Sequence, residues 1–194
     1  LMPSPEWKMR LLKTPWYAGE TVSVAIGQGQ VGATPLQMAR VAAVIANGGR
    51  LVHPHLAKAT PGGPPAKAPT PLGIHPETIA AVREGMRAVV AEGTGWRARL
   101  STVEVCGKTG SAQVVTKSRL AQSPNAFEML PHGWFVAFAP ADNPTIALAV
   151  LVEHGRSGGE SAAPAPPRPR HAAATCTSEV PRHPMVDAQQ RWHH

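Results

Sequence analysis

The sequence predicts an α+β fold, an antiparallel sheet flanked by helices. The first of three supporting observations is a pair of apolar runs, 133–139 and 145–152, joined by Pro140-Ala141-Asp142-Asn143-Pro144. Five residues are too few for a parallel crossover, so the runs pair antiparallel. Second, both runs are apolar at nearly every position, which means burial on both faces and helices on both sides. One face is expected to be small (Ala137, Ala139, Ala147, Ala149) and the other bulky (Trp134, Val136, Phe138, Ile146, Leu148, Val150). Third, two amphipathic helices with clear start signals lie upstream.

In chain order, Thr21-Val22-Ser23-Val24-Ala25-Ile26 alternates like a short strand, and Gly27-Gln28-Gly29 breaks it. A helix over 35–47 follows: Thr34 is its N-cap, Pro35 its first residue, and Gln37 closes a capping box. Its apolar stripe reads Met38, Val41, Ala42, Ile45, and Asn47-Gly48-Gly49 stops it. A short apolar piece at Leu51-Val52 precedes a Pro/Gly-rich loop over 60–73. The second helix, 76–92, carries Ile79, Val82, Met86 and Val89 on one face. Gly93-Thr94-Gly95 turns into a short basic helix and then a strand through Val103-Glu104-Val105-Cys106-Gly107. From about Ala163 the chain becomes rich in proline and arginine and loses periodicity, so 164–194 reads as a tail, disordered or out of frame.

Composition narrows the function classes. The chain is 43% hydrophobic and 16% charged, which suits an enzyme interior and excludes wholesale disorder. No apolar stretch approaches the roughly eighteen residues of a membrane span. The net charge of +7 invites a nucleic-acid reading, but the basic residues are scattered without interleaved aromatics, so no nucleic-acid partner is expected. Cys106 and Cys176 form no C-x-x-C pair, so neither a metal nor a redox cofactor is expected, and Cys106 should pack as a small hydrophobe. Gly27-Gln28-Gly29-Gln30-Val31-Gly32 fits the dinucleotide fingerprint G-x-G-x-x-G. However, no Asp or Glu stands between Glu20 and Glu77 to hold a ribose, so nucleotide binding is not expected.

The chemistry-bearing string is Lys108-Thr109-Gly110, running into Ser111. On a strand edge a lysine can tune a proton donor, a hydroxyl can hold a carboxylate, and a glycine lets a substrate backbone approach. K-T-G is one of three motifs of penicillin-binding proteins and class A β-lactamases, beside S-x-x-K and S-D-N or a variant of it. Neither companion is here. No serine has a lysine three residues on, and Ser123-Pro124-Asn125 has a proline inside it and reads as a turn. The chain therefore reads as the C-terminal part of a catalytic domain, with the nucleophilic serine outside it. His132 reads as a loop histidine, and Glu104 and Glu153 are not brought together by anything in the sequence.

Six strings carry a resemblance over roughly residues 1–163: Leu1-Met2-Pro3-Ser4-Pro5-Glu6-Trp7-Lys8, Pro15-Trp16-Tyr17-Ala18-Gly19-Glu20-Thr21, Gly27-Gln28-Gly29, Thr34-Pro35-Leu36-Gln37-Met38-Ala39, Lys108-Thr109-Gly110-Ser111-Ala112-Gln113, and Trp134-Phe135-Val136-Ala137-Phe138-Ala139-Pro140. In this order they resemble the penicillin-binding protein 2 family, the elongation-specific class B peptidoglycan D,D-transpeptidases. The resemblance implies a partial domain of the serine β-lactamase and D,D-transpeptidase type. It also implies a parent anchored by an upstream helix at the periplasmic face of the inner membrane and working with a shape-determining glycosyltransferase. The expected partners are a peptidoglycan stem peptide and β-lactams. By the same resemblance Lys108 supports proton transfer, Thr109 binds the terminal carboxylate, Gly110 keeps the edge clear, and the Ser111 backbone N–H is an oxyanion donor, its hydroxyl helping with the carboxylate. Two other readings share some features: a β-lactam sensor domain of a signalling receptor, and a basic binding module. After Ala163-Pro164 the family would continue into a sheet-covering helix, which this sequence does not encode.

Overall fold

The computed structural model describes residues 1–55, 67–113, 127, 129–164 and 173–179, the last of these as backbone. Ser123-Pro124-Asn125 and residues 60–66 of the proline-rich loop lie outside the described residues. Helix α1 (Pro5–Leu12) is capped by Ser4, whose Oγ accepts from the Trp7 N–H at 3.1 Å. Helix α2 (Ala18–Ala25) covers the stretch that alternation assigned to a strand. Four residues of alternation cannot separate the two periods, since Val22, Ala25 and Ile26 also stand at i, i+3 and i+4. Two contacts favour the helix. The Glu20 carboxylate accepts from the Tyr17 N–H at 2.7 Å, and it holds Lys8 Nζ at 2.7 Å. Lys8 is 6% exposed, so its ammonium is buried, paired, and further bonded to the Pro15 carbonyl at 2.7 Å.

Helix α3 (Pro35–Ala46) starts as read: Thr34 Oγ1 accepts from the Gln37 N–H, and Gln37 Oε1 accepts from the Thr34 N–H. Its buried face differs from the expected stripe. Ala39, Ala42, Ala43, Val44 and Ala46 face the core, while Val41 is 48% exposed. The small residues win because the helix lies directly on the sheet. Past Asn47, β1 (Arg50–Leu51) pairs with β2 (Thr70–Pro71). Helix α4 (Pro76–Ala91) buries Ile79, Met86 and Val90, with Val82 exposed. Arg83 completes that face, donating from its guanidinium to the Ala141 carbonyl at 2.6 Å and so tying α4 to the hairpin turn. A single 3₁₀ turn, Trp96–Ala98, follows.

Strands β3 (Cys106–Ala112), β4 (His132–Ala139), β5 (Ile146–Val152) and β6 (Ala173–Glu179) form one antiparallel sheet in that order. The hairpin is where the sequence put it. The expected small and bulky faces are not, because the register opposes Phe138 to Ala147, Val136 to Ala149 and Ala137 to Leu148. Opposed residues share a face, so each face mixes large with small. Phe138, Ala147, Cys106, Met86 and the α3 alanines form one core cluster. Phe135, Ala137, Val150, Val152, Val90, Ala98, Ala162 and Ala163 form the other, and the π-helical turn Gly158–Ala162 closes that side.

Strand β6 corrects the reading of 164–194 as a structureless tail. Without it, apolar β5 would present a row of unpaired N–H and C=O groups, and 173–179 pairs with that edge from Ile146↔Glu179 to Val152↔Ala173. The remainder of the tail, 165–172 and 180–194, lies outside the described residues.

Candidate active site

Strand β3 carries the K-T-G string and is the end strand of its sheet among the described residues. The register places Lys108 opposite Val136, Thr109 opposite Phe135, Gly110 opposite Trp134 and Ser111 opposite Gly133. Alternation therefore sends the Lys108 side chain to one face and the Thr109 and Ser111 side chains to the other. Lys108 Nζ curls back to donate to the Thr109 carbonyl at 2.7 Å, which brings the ammonium to the open edge.

The direction of the backbone groups follows from one contact. Gln28 Nε2 donates to the Ser111 carbonyl at 2.8 Å from outside the sheet. A strand residue presents its N–H and C=O to the same side, so Thr109, Ser111 and Gln113 face the open edge while Lys108, Gly110 and Ala112 face β4. The Ser111 N–H is thus aimed outward, as an oxyanion donor must be.

The Thr109 hydroxyl is held by Thr94, with the two Oγ1 atoms 2.6 Å apart. Thr94 sits in the turn after α4, so a glycine-flanked loop residue sets the orientation of a strand hydroxyl. Beside the pair opens a cavity of about 430 Å³ lined in part by Thr94, Arg97, Thr109, Ser111, Gly158 and Glu160. Arg97 gives its wall a positive charge, its guanidinium lying 5.4 Å from the Trp96 ring centre and donating to the Glu160 carbonyl at 3.3 Å. Gly158 packs flat on the β3–β4 ladder: a Cβ there would overlap the Trp134 carbonyl oxygen and lie 2.5 Å from the Gly110 carbonyl oxygen. Ser157 fixes this turn, its Oγ accepting from the Glu160 N–H.

The arrangement can grip an extended peptide ending in a carboxylate. The strand edge offers backbone hydrogen bonds, the lysine offers charge, and the hydroxyls offer further donors. The other candidates stand apart from it. His132 opens β4 rather than lying in a loop, and its Nδ1 accepts from the His154 N–H at 3.0 Å, a structural bond. Glu104 pairs instead with the Arg87 guanidinium, 3.4 Å away. Cys106 is 1% exposed, and burial pushes its thiol above the ordinary range, so it packs as the hydrophobe it was read to be. No group of three or more His, Cys, Asp or Glu side chains with metal-binding geometry occurs among the described residues.

The sequence reading missed Thr94, Gly158 and the role of Gln28. For Gln28 a signal was present in the two flanking glycines, Gly27 at φ 72° and Gly29 at φ 71°. Left-handed backbone on both sides aims the side chain between them, and this accounts for the G-x-G that mimicked a nucleotide loop. The element before it is a helix, so the strand context of that fingerprint is missing.

Residues 5–168 match the family model for the penicillin binding protein transpeptidase domain. The peptidoglycan D,D-transpeptidase MrdA of Acinetobacter baumannii is 44% identical over 176 residues, 86% of this chain and 26% of that protein. Pseudomonas aeruginosa PBP2, solved in complex with WCK 5153, is 42% identical over 84% of this chain and 36% of its own, with a TM-score of 0.69. PBP2 of Helicobacter pylori, solved in complex with MreC, is 31% identical over 82% of this chain and 28% of its own, also with a TM-score of 0.69. The chain spans about a quarter of the length of the curated relatives it matches.

Proposed function

Because this chain belongs to the penicillin-binding protein transpeptidase family, we propose that it supplies the substrate-gripping wall of a serine D,D-transpeptidase that cross-links peptidoglycan. In this reading a serine outside residues 1–194 attacks the D-Ala-D-Ala amide of a stem peptide, giving an acyl-enzyme and free D-Ala. An amine of a neighbouring stem then takes the acyl group, and a β-lactam stalls the cycle at the acyl stage. The observation that carries the proposal is the open β3 edge, which has the Lys108 ammonium over Thr109 and the Ser111 backbone turned outward.

Each residue has a distinct task. Lys108 supports proton transfer across the cleft and lends positive charge to the carboxylate site. The hydroxyls of Thr109 and Ser111 hold the terminal carboxylate, with Thr94 orienting the first. Gly110, lacking a side chain, leaves room for the substrate to lie along the edge as an added strand. The Ser111 N–H stabilises the oxyanion, a contribution typically of about 3 kcal/mol. Residues 1–163 are the C-terminal part of the transpeptidase domain in this proposal, with 164–194 an appended or out-of-frame tail. The proposed setting is the periplasmic face of the inner membrane, beside a shape-determining glycosyltransferase.

The test is acylation of the full-length protein by a fluorescent penicillin. Lys108→Ala should lower the acylation rate by about 100-fold or more, the scale of a lost proton-transfer group. An unchanged rate would remove Lys108 from the mechanism and, with it, the reading of this edge as the site.

A further inference from the structure

Gln28 is separated from Ser111 by 83 residues, yet its carboxamide spans two main-chain groups of the β3 edge. Its Nε2 donates to the Ser111 carbonyl at 2.8 Å, and its Oε1 accepts from the Gln113 N–H at 3.4 Å. The C=O of one strand residue and the N–H of the residue two further on are the pair that a single residue of a neighbouring parallel strand would satisfy. The carboxamide therefore takes the place of one peptide residue beside β3.

The side chain arrives there from a fixed base. The Gln28 N–H donates to the Ser23 carbonyl at 2.8 Å and the Gly27 N–H to the Val24 carbonyl at 3.0 Å, so the loop is tied to α2. Helix α2 is in turn anchored by Glu20, which pairs with the buried Lys8 ammonium. Along the edge, the Thr109 carbonyl is engaged by Lys108 and the Gln113 N–H by Gln28, which leaves the Ser111 N–H between two held peptide units.

We propose that Gln28 is a positioning residue for the transpeptidase reaction: it clamps the Ser111–Gln113 segment so that the Ser111 N–H meets the substrate acyl oxygen, and it closes the edge beyond Ser111 to a peptide added along β3. The inference rests on the transpeptidase reading given above. A bound stem peptide then pairs with the edge only as far as Ser111, where the second lone pair of that carbonyl is still open to it. Removing the carboxamide frees the end of the strand and lets the oxyanion donor wander, and a displacement on the order of an ångström near the reacting atoms costs on the order of 100-fold in rate.

Two variants separate clamping from mere support. Gln28→Ala removes both bonds; Gln28→Glu keeps an acceptor for the Gln113 N–H and removes the donor to Ser111. In the 194-residue chain, amide hydrogen exchange at Gln113 should be about tenfold faster in Gln28→Ala and close to wild type in Gln28→Glu, a loss of the order expected for one such bond. The Lys108 and Gly110 amides, which face β4, should keep their protection in both. In the full-length protein, both variants should acylate with benzylpenicillin about tenfold or more slowly, with the melting temperature close to wild type. The Gln28→Glu pattern, with exchange retained and acylation lost, is one that a purely structural tie does not produce. Unchanged Gln113 exchange in Gln28→Ala, or wild-type acylation in either variant, overturns the proposal. A wild-type protein that does not acylate at all refutes the transpeptidase reading itself and this inference with it, an outcome recognised before any substitution is made.

Discussion

Gly158→Ala puts one methyl group where the backbone of the π-helical turn rests on the sheet. The added Cβ would overlap the Trp134 carbonyl oxygen and stand 2.5 Å from the Gly110 carbonyl oxygen and 2.8 Å from the Gly110 nitrogen. All three are main-chain atoms of one ladder pair, so no side chain can rotate away. The turn must instead retreat from β3, taking Ala162 and Ala163 out of the Phe135 cluster. Overpacking of a core costs typically about 1–3 kcal/mol, and a clash against backbone belongs at the upper end, about 3 kcal/mol. For a chain of this length that corresponds to roughly a 6–12 °C fall in melting temperature. The control is Gly85→Ala within α4, where a Cβ meets nothing within 4 Å. There alanine should stabilise by about 0.5–1 kcal/mol through helix propensity. Thermal unfolding followed by circular dichroism reads both. A Gly158→Ala variant that melts within about 2 °C of wild type, a shift that corresponds to about half a kcal/mol, would refute the packing argument.

Other outcomes follow from the same structure. Glu20→Ala strands the buried Lys8 ammonium and should lower the urea midpoint more than Lys8→Met, which removes the charge along with its need for a partner. Glu20 is held below the ordinary carboxylate range by its hydrogen bond from Lys8 and the Tyr17 N–H. A depressed folded value stabilises above the unfolded value and ceases to as pH falls through the folded one, so the difference between wild type and Glu20→Gln should shrink in acid. Cys106, buried and with its thiol pushed up, should resist a thiol reagent in the native protein and react only in denaturant, as read by peptide mass mapping.

What was legible in the sequence had local causes. The start of α3 is written in Thr34, Pro35 and Gln37, which bond one another within a turn. The hairpin is written in the short Pro140–Pro144 connection and in two runs too apolar to be exposed. The strand that carries K-T-G was legible because the apolar run leading into it is its immediate neighbour in the chain. What escaped depends on partners distant in sequence or on register. The sheet faces were misassigned because opposing Phe138 to Ala147 is a fact about pairing, which composition does not contain. Val41 and Val82 were placed inside because apolar spacing does not reveal that α3 packs through alanines or that Arg83 completes the α4 face. The 21–26 strand failed where Glu20 and Lys8, twelve residues apart, favour a helix. Strand β6 was missed because its cause is the open edge of β5, not its own pattern. Gln28 lies 83 residues from its partner, and Thr94 lies 15 from Thr109.

The central claim is that 108–111 grip the substrate while the attacking serine belongs to a part of the protein outside this chain. Intact-mass spectrometry after incubation with benzylpenicillin tests it most directly. The full-length protein should gain the mass of one penicilloyl group, and peptide mapping should place it on a serine outside residues 1–194. The isolated 194-residue chain, which has no serine followed three residues later by lysine, should gain no mass. A stable penicilloyl adduct on any serine within the chain would contradict the account, because it would put the nucleophile among residues assigned here only to binding.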